Sequence, residues 1–137
     1  METHFDLSDE AFEQQFDACT LPPALFSHEA HLRLAWIHIR KYGTEQAVEN
    51  VCRQLIRYVD ALGARDKYNQ TLTVAAIRAV SHFMNRSDTD SFYKFIHQFP
   101  RLKSDFRALL ATHYQLDIYN SDLAKRTYIE PDLLPFS

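Results

Sequence analysis

Apolar residues recur along this chain at helical intervals. Ala11, Phe12 and Phe16 share one face, Ser8 is placed to cap them, and Leu7 and Phe12 have the spacing of a hydrophobic staple. Leu21, Pro22 and Pro23 end that first helix. Ser27 then caps a second, which Gly43 stops. Thr44 opens a third, closed by Gly63, in which Val48, Val51, Cys52, Leu55, Val59 and Leu62 form a stripe of i, i+3, i+4 type. Two helices of similar length with so short a joint predict an antiparallel hairpin, 27–43 against 44–63.

A polar connection leads to a fourth helix from about Thr71. Its β-branched Thr71, Thr73, Val74 and Ile77 would suit a strand, but its length and the following Phe83 and Met84 favour a helix. A short fifth helix ends at Pro100. The run 101–114 reads as a sixth, with Leu102, Phe106, Leu109, Leu110 and His113 on one side. A last turn starts at Ser121, and Ile129, Leu133, Leu134 and Phe136 predict an irregular tail that docks. No repeat, low-complexity tract or linker divides the chain. The expected fold is all-α: one domain over residues 1–137, a bundle of about six helices.

Composition narrows the function. Gly43 and Gly63 are the two glycines, so phosphate-binding loops built on clustered glycines are excluded. Cys19 and Cys52 form no Cys-x-x-Cys pair, and Cys52 lies on an apolar stripe as a small hydrophobe. The N-terminal stretch has no basic region followed by an apolar run, and no segment is long and apolar enough for a bilayer; the expectation is a soluble, cytoplasmic protein without a membrane partner. A net charge of −3 argues against a nucleic-acid partner. Its distribution is uneven: residues 1–32 hold acids and no Lys or Arg, whereas Arg33, Arg40, Lys41, Arg53, Arg57, Arg65 and Lys67 follow. An acidic first helix lying near a basic second and third accounts for this; a basic patch for an anionic ligand is the other reading.

The second helix carries the candidate chemistry. At about 100° per residue, His28, His31 and His38 fall within about 80° of one another on the apolar side, around Ala35. Glu29, Ala30, Arg33, Ile37, Arg40 and Lys41 take the opposite face. His28 and His31, at i, i+3, can reach one ion, and the positive end of the helix dipole favours the neutral imidazole a metal requires. A divalent metal needs further ligands; His82, Glu29, Asp66 and His113 are candidates. A polar small-molecule pocket and structural hydrogen bonding are the competing uses, and for His38 the structural one is preferred. No Gly-x-Ser-x-Gly elbow, His-Glu-x-x-His or Glu-x-x-His spacing is present.

Three stretches, FSHEAHLRLAW, KYNQTLT and SDLAKRTYIEPDLLPFS, resemble a family of small, uncharacterised bacterial all-helical proteins. Its pattern is Phe-x-His-x-x-His-Leu with Ala-Trp, then Lys-Tyr-His-x-Thr-x-Thr, then a Pro-Asp-Leu tail. The matching positions are Phe26, His28, His31, Leu32, Ala35 and Trp36, then Lys67, Tyr68, Thr71 and Thr73, and finally Pro131, Asp132 and Leu133. Asn69 stands where the family has a third histidine, and asparagine is a poor ligand for zinc or iron. The resemblance implies that the second helix and the start of the fourth converge. His28 and His31 would then face Tyr68, Asn69, Thr71 and Thr73, with Trp36 or Phe26 as an apolar wall. Enzyme or binding module for a small polar molecule, and non-catalytic interaction protein with buried structural histidines, both stay open. The second predicts an exposed apolar patch near Phe92, Tyr93, Phe95 and Phe99.

Overall fold

The computed structural model describes residues 3–136. Among these, the regular structure is all helical, with no strand: α1 (Asp9–Asp17), α2 (His28–Tyr42), α3 (Thr44–Ala61), α4 (Gln70–Met84), α5 (Phe92–Gln98), α6 (Arg101–Ser104), α7 (Phe106–Leu110) and α8 (Asp122–Arg126). Short 3-10 turns cover His4–Asp6, Pro23–Leu25 and Arg65–Lys67. No helix among the described residues is long and apolar enough to cross a membrane. The chain forms two compact units, Met1–Tyr68 and Asn69–Ser137.

In the first unit the caps act locally, as their sequence positions suggest. Ser8 Oγ accepts from Ala11 N at 3.1 Å and Ser27 Oγ from Ala30 N at 3.2 Å, each meeting a donor that its helix cannot satisfy internally. Gly43 at φ 86° both ends α2 and starts α3. A side chain there would be strained by that backbone even though nothing crowds the space a Cβ would fill. The two long helices pack against each other, and α1 lies against both. Phe12, Phe16, Leu32, Leu34, Trp36 and Tyr58 are buried between them.

The face of α2 opposite the histidines is open to water at Arg40 and Lys41 only, with Glu29 half-buried. Ala30, Arg33 and Ile37 are buried along with Leu32, Leu34, Ala35, Trp36 and His38. The N-terminal turn and α1 cover that face, and Arg33 makes the cover possible. Its guanidinium donates to the carbonyls of His4 and Leu7 and to Asp9 Oδ1, the last at 2.9 Å, and faces His4 Nδ1 at 3.3 Å. Arg33 offers donors only, so His4 Nδ1 accepts and the protonated Nε2 donates to Glu29 Oε1 at 2.8 Å. Phe12 adds a ring 5.0 Å from the Arg33 Cζ.

Part of the charge asymmetry is intramolecular pairing between α1 and the two helices after it. Asp9, Glu13 and Asp17, four residues apart on α1, meet Arg33, Lys41 and Arg57 in turn. Leu62, assigned to the apolar stripe of α3, is instead 47% exposed, because it lies beyond the last helical turn. Cys52 is buried on that stripe, as a small hydrophobe should be.

In the second unit α4 buries Val74, Ile77 and Val80 and packs against α8. The run expected as one sixth helix is two, α6 and α7. The backbone leaves the helical region at Asp105 (φ −145°, ψ 36°), yet Leu102, Leu109 and Leu110 still reach the core. A one-residue break leaves the apolar spacing intact, which is why the pattern hides it. The exposed aromatic patch that the interaction-protein reading predicts on α5 is absent: Phe92 and Phe95 are buried and Phe99 half-buried, leaving Tyr93 exposed. The tail docks through Phe136, whose ring stacks on His113 at 4.2 Å, and through Leu133 N on the His113 carbonyl. Leu133 and Leu134 point outward.

Replacing Arg33 by Met removes donors from the buried His4 carbonyl, the half-buried Leu7 carbonyl and Asp9, and should cost about 3 kcal/mol in denaturant unfolding. Arg57→Met, at a pair half open to water, should leave the midpoint close to that of the wild type.

Candidate functional site

His28 and His31 open α2 just after the Ser27 cap, and both are exposed. They sit where the Pro23–Leu25 turn and Phe26 deliver the chain into the helix. The ring of Phe26 stacks on that of His31 at a centroid distance of 3.8 Å, and on its other sides meets Phe16 at 4.8 Å and Tyr58 at 5.2 Å. Tyr58 is in turn fixed by donating its hydroxyl to the Leu21 carbonyl at 2.8 Å. His31 is therefore held at the rim of an aromatic cluster by stacking alone. Neither of its ring nitrogens has a hydrogen-bond partner among the described residues.

The electrostatics keep that imidazole neutral. Part of His31 is open to solvent, yet the protein around the ring strips enough water from the charged form to push its pKa down to about 4, with His28 adding repulsion. Both effects are reinforced by the helix N-terminus, which opposes positive charge in its first turn. Above about pH 4, His31 thus offers an unprotonated lone pair.

The remaining candidates are placed differently. Trp36 is buried, with the Arg40 guanidinium 5.0 Å from its ring, and Tyr68 is 9% exposed. Both belong to the first unit. Asn69 and Thr71 belong to the second, where they hold backbone. Asn69 caps α4 by accepting from Leu72 N at 2.9 Å and donates to the Ile118 carbonyl at 2.8 Å. Thr71 is fully buried; its hydroxyl donates to the Thr127 carbonyl at 2.7 Å and accepts from Ile129 N at 3.0 Å. With donor and acceptor both engaged, Thr71 ties the tail to α4, an employment other than the pocket wall expected for it. Asn69 is likewise engaged, as the N-cap of a helix that starts at Gln70.

The histidines outside the first turn of α2 each contact other groups of the protein. His38 is fully buried, its Nδ1 3.4 Å from Asn50 Nδ2, and Nε2 meets no acceptor among the described residues. Burial holds its pKa below the usual histidine value, against the pull of Glu13. Of the further ligand candidates, Glu29 accepts from His4, His113 Nδ1 donates to the Leu134 carbonyl at 2.7 Å, and His82 faces Arg86. Among the described residues no three or more His, Cys, Asp or Glu side chains gather as an ion-binding group. The polar cluster of His4, Glu29, Arg33 and Asp9 escaped the sequence reading. Its signals were an arginine inside the apolar run LRLAW and the acidic first helix that supplies Asp9; nothing pointed to His4 or to the backbone carbonyls.

Compared with family models, curated proteins and solved structures, the chain matches none.

A depressed histidine pKa makes the unfolded chain bind the proton first, at about pH 6.5, so stability is fully present above that value and is lost as pH falls towards about 4. Urea midpoints measured across this window should fall on acidification. His31→Gln should flatten the slope, leaving the smaller part due to His38.

Proposed function

We propose that this protein binds a small polar ligand or a metal ion at the start of α2, through His28 and His31. The observation that carries this reading is the His31 imidazole: stacked on Phe26, exposed, held neutral and without a hydrogen-bond partner among the described residues. A neutral imidazole accepts a hydrogen bond from a hydroxyl or amide, or donates its lone pair to a metal without proton competition. A pKa of about 4 makes it a weak general base at neutral pH, so binding rather than proton abstraction is the role it suits. One turn of helix separates His28 from His31, a spacing at which two side chains can address one ligand. The pair supplies two ligands to a metal, so water or the bound molecule completes the coordination.

A second reading is favoured by a different observation. His4 and His38 are buried in hydrogen-bonded clusters, which is how a non-catalytic interaction protein would use its histidines. The likeness of three stretches to a bacterial family supports a shared helix start and tail under either reading.

The test is elemental analysis of untagged, chelator-free protein beside a His28→Ala/His31→Ala variant, followed by zinc titration of both in a calorimeter. Both positions are exposed, so the variant should fold with stability close to wild type. Near-stoichiometric metal, or zinc affinity reduced at least tenfold in the variant, supports the metal form of the site. No metal and no zinc binding leaves a small polar ligand as its content, and a variant that unfolds would make the histidines structural.

A further inference from the structure

The second unit holds a concavity of about 210 Å³ over α7 and the loop that follows it, formed by Arg107, Leu110, Ala111, Tyr114, Ile118, Tyr119 and their neighbours. We infer that it is a binding site for a small monocarboxylate with a flat apolar body. The unpaired guanidinium of Arg107 would hold the carboxylate, and Leu110, Ile118 and the Tyr114 ring the body. It involves neither His28 nor His31.

Four features converge. First, Arg107 is the only cation lining the cavity among the described residues, and its guanidinium forms no hydrogen bond and no ion pair with any of them. Its Cζ lies 4.2 Å from the Tyr119 ring centroid. Stacking of this kind fixes the plane of a guanidinium while leaving its edge donors free. A planar carboxylate meets such an edge with two parallel hydrogen bonds.

Second, the nearby carboxylate does not consume that cation. Asp117 Oδ1 accepts from Tyr119 N at 3.1 Å and Asn120 N at 3.3 Å, and Oδ2 from the Asn120 amide at 2.8 Å. These bonds, the Asn120 side chain first, hold its pKa below the usual carboxylate value. Asp117 stays anionic within the field of Arg107 and raises the cost of a second negative charge, so a monoanion suits the site better than a phosphate dianion.

Third, the floor is apolar. Leu110 and Ile118 are buried beneath it. The Tyr114 hydroxyl is occupied elsewhere, donating to the Ile129 carbonyl at 2.7 Å, so that residue brings its ring to the site. Fourth, the size fits: a cavity of roughly 150 Å³ lined by apolar side chains takes up benzene. This one has room for such a ring with a carboxylate on it.

Benzoate is the probe, titrated into isotope-labelled full-length protein by NMR. Benzyl alcohol serves as the neutral match in shape, and inorganic phosphate as the anion without a body. Benzoate should shift the Leu110 and Ile118 methyl signals and the Tyr119 amide. Arg107→Gln should weaken it at least tenfold. Ala111→Trp, which fills the cavity from an exposed position, should abolish it. Benzyl alcohol and phosphate should each bind at least tenfold more weakly. The inference is overturned by shifts absent from these residues, by equal binding of benzyl alcohol or of phosphate, or by benzoate binding that survives either substitution. Unchanged amide spectra of the free variants away from the site establish that loss of binding is not loss of fold.

Discussion

A guanidinium buried in a protein must have its donors satisfied, and Arg33 satisfies them by gathering the N-terminal turn and the start of α1 onto α2. The consequence reaches through the first unit. With α3 on one side and the Arg33 cluster on another, α2 is buried along residues 32–38. Its beginning stays open, and that is where His28 and His31 stand. The location of the candidate site thus follows from how the helix is packed. His4, locked as the Nε2–H tautomer between Arg33 and Glu29, takes Glu29 out of reach as a ligand for that site.

The second unit is organised by a smaller device. Asn69 and Thr71 stand at the head of α4 and bind the backbone of the segments at residues 118 and 127–129. Buried carbonyls and amides in such irregular chain need partners, and two side chains supply them. The His113–Phe136 stack closes the other end of the tail. The same folding-back sets Tyr119 beside Arg107 and turns the Tyr114 hydroxyl away from the concavity.

Much of this was legible in the sequence because it is local. Ser8, Ser27 and Gly43 act within four residues of their positions, so caps and helix limits could be read directly. The pairing of an acidic α1 with basic residues of α2 and α3 was visible as a charge imbalance. What stayed hidden was long-range or compensated. Arg33 and Ala30 fell on the polar side of a helical wheel because periodicity cannot tell how many neighbours a helix has. The break at Asp105 leaves the apolar spacing unbroken. Phe92 and Phe95 looked like a surface because their density on a short helix gave no sign of what covers them. At the site, the i, i+3 spacing of His28 and His31 was plain, whereas the stacking on Phe26 that holds His31 in place is a tertiary contact.

The account rests on His31 being a neutral imidazole with a free lone pair. The most direct measurement is a two-bond ¹H–¹⁵N correlation spectrum of the histidine rings, taken at steps between pH 7 and pH 3.5. The account predicts that the His31 nitrogens keep the shifts of a neutral tautomer, one pyrrole-like and one pyridine-like, until the pH approaches about 4. A His31 ring that becomes imidazolium near pH 6.5 would contradict it.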